Sequence, residues 1–321
     1  MRLRLVPDET HWDFMKWRHW TFGASVIAMV ASLIIWAVMG LNFGIDFLGG
    51  TTIRTESTQA VDVGAYRAAL DPLALGDVTI TEVFDPTFGP DENVAQIRIQ
   101  AQEGAESVTP ETIAAVEAAL QQVDPSLTFP SVESVGPKVS GELIMTALIA
   151  VGASLAAILF YIWLRFEWQF SVGAIAALIH DVVLTVGVFS LLQIRFDLAT
   201  IAAILTIIGY SINDTVVIFD RLRENLIKFK KTPLIEVMNR SVNETLSRTL
   251  MTSGTTILAL VALIALGGDV IRGFVFAILW GVVVGTYSSV YVAKNVVLML
   301  GVERDPKKPS DAGTQFADID A

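Results

Sequence analysis

The apolar positions divide the chain into six long hydrophobic stretches and one region of shorter periodicity. Residues 20–40, 143–164, 170–192, 198–219, 250–266 and 274–299 each approach the roughly 20 residues that a helix needs to cross hydrocarbon. The fifth stretch opens on Thr252, Ser253, Thr255 and Thr256, which dilute its apolar start. The first is too long for a signal-peptide core and has no small-residue cleavage site after it, so it reads as a retained signal anchor.

Between the first two stretches the period changes. Thr51 to Glu56 suggests a strand, and 60–70 carries Val63, Tyr66 and Leu70 at helical spacing. Residues 77–84 and 93–100 alternate as strands, with Asp85-Pro86 and Gly89-Pro90 in the turn between them. Thr109 and Pro110 open a helix as cap and first-turn residue, and 127–135 reads as a closing strand. The order β-α-β-β-α-β predicts a ferredoxin-like α+β domain over residues 41–140. The predicted fold class is therefore a six-span α-helical membrane protein with one such domain outside, and the fold by itself names no function.

Composition agrees with a membrane protein: 53% hydrophobic and 17% charged residues, with a mean hydropathy of +0.58. Charge sets the expected orientation. Arg2, Arg4, Lys16 and Arg18 precede the first span, and Arg221, Arg223, Lys228, Lys230, Lys231, Arg240 and Arg248 lie between the fourth and fifth, so residues 1–19, the link 220–249 and the tail 301–321 are expected in the cytoplasm. Lys294, Arg304, Lys307 and Lys308 are counted with that tail, which reads as disordered. Residues 42–140 hold 15 Asp and Glu against 4 Arg and Lys, a solvated acidic surface. Leu222, Leu226 and Phe229 suggest that the basic link lies along anionic lipid rather than nucleic acid. The chain has no Cys, so the outer domain must hold by its own core.

Carboxylates in the spans carry the candidate chemistry. A charge at bilayer depth costs about 2.5–3.5 kcal/mol on an insertion scale and marks a functional candidate. Asp214 sits in the fourth span, where helical spacing places Tyr210 and Ser211 on its face, with Asn213 beside it. Asp181, next to His180, follows Gly173 and Ala177 on a small-residue stripe of the third span. A carboxyl group that merely bonds a neighbouring helix is the plainer reading of either. Arg248 stands at the entry of the fifth span with Thr245, Thr252 and Thr255 on its face, close enough in height to pair with Asp214. Such a pair would form when Asp214 is ionised and part when a proton neutralises it. The stripe Gly273, Ala277, Gly281, Gly285 and Ser289 reads as a close helix contact.

These residues resemble those of the SecF proteins in the SecD/SecF protein-export family, over nearly the whole chain. The resemblance rests on Gly44-Ile45-Asp46-Phe47-Leu48-Gly49-Gly50 after the first span and Ala177 to Asp181 in the third. It is strengthened by Gly209 to Asn225, and by Asn243-Glu244-Thr245, Arg248-Thr249 and Thr252 to Thr256 leading into the fifth. It implies a multi-pass inner-membrane subunit, with residues 41–140 periplasmic, related to the resistance-nodulation-division transporters. Such a subunit works with SecD and the SecYEG channel, alongside YajC and YidC, and uses the proton gradient to complete export of preproteins. It further implies a role in proton conduction for Asp214 and Arg248, with a less defined one for Asp181 and for Gly44, Asp46, Gly49 and Gly50. For that loop the plainer reading is a tight, closely packed exit from the membrane.

Two rival functions fit some of the same residues. One is a proton-driven small-molecule exporter of the related transporter class. The other is an intramembrane aspartyl protease using Asp181 and Asp214 as a dyad, although His180 and Ile212-Asn213 stand where that class carries other residues. No nucleotide loop, metal-ligand cluster or nucleophile triad is seen, so no cofactor and no enzyme activity are expected.

Overall fold

The structure is a computed structural model that describes residues 10–83, 88–89, 91–100 and 108–302. Arg2, Arg4, Phe84, the Asp85-Pro86 turn, Pro90, Arg304, Lys307, Lys308 and the expected disorder of the tail from residue 303 lie outside the described residues. The described chain begins with α1 (Arg18–Met39), β1 (Asn42–Phe43), the one-turn α2 (Ile45–Leu48), β2 (Gly50–Ser57) and α3 (Val63–Leu70). It continues through β3 (Val78–Val83), β4 (Asn93–Gln100), α4 (Pro110–Val123) and β5 (Thr128–Val135). The remaining elements are α5 (Pro137–Arg165), α6 (Trp168–Leu192), β6 (Arg195–Phe196), α7 (Leu198–Lys228), α8 (Leu234–Leu266), α9 (Asp269–Ser288) and α10 (Lys294–Leu300). A π-helical turn, Ser289–Ala293, joins the last two.

Strands β2 to β5 form an antiparallel sheet in the order β3-β4-β2-β5, with Ile53 opposite both Ile97 and Val132. One face buries Ile53, Ile80, Ile97 and Ile99 against Tyr66 and Leu70 of α3 and Val116 and Leu120 of α4. Both helices start where a side chain accepts the orphan backbone donor of the first turn: Asp62 from Ala65 N at 3.0 Å, and Thr109 from Thr112 N at 3.3 Å. At the other end of α4, Asp124 is buried and accepts hydrogen bonds from Ser57 Oγ, Ser126 N and Ser126 Oγ.

Among the described residues six helices are long and apolar enough to cross a membrane, the last formed by α9, the π turn and α10 together. α6, α7 and α9 make the interior of the bundle, whereas α1, α5 and the second half of α8 present mostly exposed apolar side chains. Several helices outrun their apolar cores. α7 continues to Lys228, and α8 begins at Leu234 rather than near residue 250. The basic link is thus a helical hairpin, and Leu222, Leu226 and Phe229 pack against Val237 and Met238 instead of lying along a lipid surface. Polar groups knit this end together. Glu244 takes hydrogen bonds from Arg221, Arg240 and Asn225, and the N-terminal segment is held by Asn239 and Asn243 through Trp12 and Phe14 backbone groups.

Lys294, counted from sequence with the tail cations, lies in α10 and is 1% exposed. Its Nζ has no hydrogen-bond partner and sits 5.8 Å from the ring centre of Phe14 and 5.9 Å from that of Tyr291. The placement depends on Phe14 of the N-terminal segment and Tyr291, one turn back on the same span, which cover the ammonium group.

Candidate functional site

The bundle interior is assembled where helices lack side chains. A Cβ on Gly281 of α9 would collide with Ile207 of α7, and one on Gly285 would come within 3.0 Å of Ser211 Cβ. On α6, a Cβ on Gly173 would come within 2.7 Å of Ala293 O and Val297 Cγ2. The small-residue stripes thus draw α6, α7 and α9 together, as expected for helices that associate by van der Waals contact in lipid.

Three spans converge on Asp181. Its Oδ2 accepts hydrogen bonds from Ser211 Oγ of α7 at 2.6 Å and Ser288 Oγ of α9 at 2.9 Å, and its Oδ1 lies 3.0 Å from His180 Nδ1. Asp181 and His180 are each 1% exposed. The His180 ring stacks on Tyr287, whose hydroxyl donates to Thr21 O at 2.8 Å and accepts from Ser25 Oγ at 3.1 Å. These contacts bring α1 into the same polar cluster.

Asp214 lies one turn beyond Ser211 on α7 and is 4% exposed. It borders Ser253 of α8 and interacts through charge with Arg248, while its Oδ2 has no hydrogen-bond partner. Among the described residues there is no direct ion pair between Asp214 and Arg248, and Arg248 is exposed at the edge of the bundle. Ser253 Oγ lies 2.7 Å from Thr286 Oγ1, which links α8 to α9 beside the carboxylate.

The structure redistributes the polar residues expected around Asp214. Ser211 bonds Asp181, and Tyr210 donates to Thr256 Oγ1 at 3.2 Å. Asn213, Thr252 and Thr255 are exposed, and the two threonine hydroxyls return to their own helix, to Arg248 O at 3.0 Å and Met251 O at 2.9 Å. The buried hydroxyl row of α8 is Thr245, Thr249 and Ser253. Sequence reasoning missed Ser253 and Ser288. The i, i+4 repeat of Thr245, Thr249 and Ser253, and the position of Ser288 beside the stripe through Gly281 and Gly285, were the available signals.

The loop motif lies at the opposite end of the bundle. Gly44 N donates to Phe196 O at 2.7 Å, Asp46 Oδ2 accepts from Leu198 N at 3.0 Å, and Gly49 N closes α2 on Ile45 O at 2.8 Å. Gly49 and Gly50 have φ of +71° and +120°, conformations that side-chain-bearing residues rarely adopt. Among the described residues no group of three or more His, Cys, Asp or Glu converges as metal ligands.

Comparison with known proteins decides the family. The signature "Protein export membrane protein SecD/SecF, C-terminal" matches residues 115–303, and the "SecD/SecF GG Motif" matches residues 34–61. A protein translocase subunit SecF of Cereibacter sphaeroides is 68% identical over 100% of this chain and 99% of its own length. The chain belongs to the SecF family. A SecF of Rhodobacter capsulatus is 64% identical over 97% of this chain and 96% of its own, and one of Vibrio alginolyticus is 39% identical over 99% and 98%. A crystal structure of SecDF from Thermus, described as a translocon-associated membrane protein, superposes with a TM-score of 0.82 at 35% identity over 94% of this chain and 40% of that one. SecDF in a super-membrane-facing form gives 0.68 at 37% identity, over 93% of this chain and 39% of that one. The chain therefore spans about two fifths of the SecDF chains it matches, and it is a multi-pass membrane protein of the protein-export family.

Proposed function

We propose that this chain is a proton-driven protein-export subunit that works with SecD beside the SecYEG channel, with YajC and YidC as further partners, in the bacterial inner membrane. Its SecF relatives and the match to part of longer SecDF chains support that reading. In this reading the four-stranded domain, with strand order β3-β4-β2-β5, is a ferredoxin-like domain on the periplasmic side. Both ends of the chain and the hairpin around residue 230 are cytoplasmic, in keeping with the basic residues there.

The observation that carries the mechanism is Asp214. A buried carboxylate with one oxygen unpartnered, facing a cation that is near but not bonded, is poised to exchange a proton and to change its neighbours when it does. Ionised Asp214 attracts Arg248, and protonated Asp214 releases it. Ser211, one turn away, couples α7 to Asp181 and through Ser288 to α9, so a movement of α7 is felt across the interior. One proton crossing 100 mV supplies about 2.3 kcal/mol, a bias of about 50-fold on a two-state packing. Asp181 and Asp214 share no hydrogen bond, so the geometry gives no support to a protease dyad.

The test is gradient-dependent completion of export in membrane vesicles carrying Asp214→Asn together with SecD. Loss of most of the gradient-dependent stimulation is expected, with normal chain levels. Unchanged stimulation would sink the proposal.

A further inference from the structure

The motif after the first span is joined to the helix carrying Asp214 by bonds that no proton step uses. Asp46 lies in α2, and Gly49 and Gly50 turn the chain directly into β2, which is hydrogen-bonded along both edges by β4 and β5. α2 is closed by Gly49 N on Ile45 O, and Ser140 Oγ of α5 also donates to Ile45 O at 3.4 Å. The root of the sheet is therefore fixed to α2.

The other side of the same joint is the start of α7. Asp46 Oδ2 accepts from Leu198 N at 3.0 Å across 152 residues of sequence, Gly44 N donates to Phe196 O at 2.7 Å, and β1 pairs in parallel with β6. A Cβ on Gly44 would lie 3.2 Å from Asp197 Cβ, so the two segments are in close contact. From the sheet itself, Gln96 of β4 accepts from Arg195 Nη1 at 3.5 Å. α7 then runs unbroken, and Ser211 and Asp214 follow Leu198 by about 20 and 24 Å along its axis at 1.5 Å per residue.

The first turn of α7 does not need Asp46 to form. Asp197 accepts from Thr200 N at 2.9 Å in a reciprocal capping box with Thr200. The helix end thus carries two carboxylates with different attachments. Asp197 belongs to the helix it caps, whereas Asp46 belongs to the root of the outer sheet.

We propose that Asp46 is a positioning residue that clamps the first turn of α7 to the root of β2, so that the outer domain and the helix bearing Asp214 move as one linked body. This inference rests on Asp214 being the proton-titrated group. The clamp is mechanical: a shift of α7 along or about its axis is passed to the sheet through the Asp46–Leu198 bond and the β1–β6 pair. Without the Asp46 acceptor, α7 keeps its own cap, and the remaining links, Gly44 to Phe196, the β1–β6 pair and Arg195 to Gln96, hold only the extended segment before the helix and not its first turn.

The chain has no Cys, so spin labels at Glu82→Cys on exposed β3 and Leu191→Cys at the domain end of α6 report the domain-to-bundle distance in the full complex with SecD by pulsed electron resonance. Asp214→Asn serves as the neutral form. A shifted distance distribution is expected on Asp214→Asn, most of it lost when Asp46→Ala is added. It should be retained with Asp46→Asn, whose amide oxygen still accepts from Leu198 N, and with Asp197→Ala, which removes only the local cap. Should Asp46→Ala not assemble, Gly44→Ala strains the same joint with the carboxylate intact and is expected to reduce the shift as well. A full shift in Asp46→Ala or Gly44→Ala, an equal loss in Asp197→Ala, or no shift on Asp214→Asn alone overturns the clamp. The export assay stays separate: lost export with an undiminished shift in Asp46→Ala leaves the Asp214 reading standing and removes this one.

Discussion

The four-stranded domain and the membrane bundle are built on opposite uses of burial. In the domain, Ile53, Ile97, Val116 and Leu120 are fully enclosed, and buried polar groups serve the backbone: Thr55 of the inner strand β2 donates to Ala95 O across the sheet, and Asp124 accepts from Ser126 N at the end of α4. In the bundle the interior holds Asp181, His180, Asp214 and Lys294, while Leu148, Ile149 and Leu258 are more than 60% exposed. The difference follows from solvent. Water drives apolar side chains inward in the domain, whereas lipid offers no such drive, so helices there associate through small residues and bury polar groups that hydrocarbon would not accept. In the domain a buried polar side chain such as Thr55 is tied to the sheet's own backbone, whereas the carboxylates buried in the bundle bridge helices or, at Asp214, keep an unpartnered oxygen.

That contrast can be broken from either side. The largest expected effect is from Leu120→Ala, which removes a fully enclosed side chain from the domain and should cost about 2–5 kcal/mol. Hydrogen exchange on the full chain should show loss of protection in β2 and β4 with α6, α7 and α9 unchanged. Loosening of both regions together would contradict separate cores. Next comes Gly281→Val, whose side chain would collide with Ile207 and should cost about 1–3 kcal/mol. It should lower the thermal stability of the detergent-solubilised bundle while the domain keeps its protection. An equally stable variant would mean that α7 and α9 do not meet there.

The smallest effect distinguishes the two regions by pH. Burial of Asp124 works against its charge, but hydrogen bonds from Ser57 and Ser126 outweigh that and hold the carboxyl below its ordinary value. A depressed folded value means that the stabilisation is complete above the unfolded carboxylate range, near pH 4, and is lost as pH falls through the folded value. Protection factors at the α4–β5 corner, corrected for intrinsic exchange, should fall below about pH 4, and Ser57→Ala should weaken that dependence. A flat profile with Ser57 present would refute it.

The same contrast explains what could be read in advance. The alternation in β3 and β4 and the Thr109-Pro110 start of α4 were legible because each position in a water-facing domain is sorted by polarity. The face of α8 was not. Thr245, Thr252 and Thr255 were placed beside Arg248 toward Asp214, but only Thr245 is buried, in a row that continues through Thr249 and Ser253. With hydroxyls and apolar groups all round such a helix, no polarity gradient marks its inner face, and a rotation of one residue, about 100°, goes unnoticed. Lys294 was misread for a related reason: near the end of a span a lysine suggests an aqueous tail, and only the closure of Phe14 and Tyr291 over it makes it interior.

By itself the sequence determined the six apolar spans, the strand and helix order of the domain, the acidic segment between the first two spans and the basic one between the fourth and fifth, and the presence of carboxylates in an unsuitable solvent. These are properties of local composition and period, set by length against a hydrocarbon layer and by polarity against water. Tertiary structure alone decided that Ser211 and Ser288 serve Asp181 rather than Asp214, and that Asp46 reaches Leu198 across 152 residues. Such pairings depend on which helix faces meet. In a membrane that is settled by the fit of glycine and serine surfaces many residues apart, and no local pattern records it.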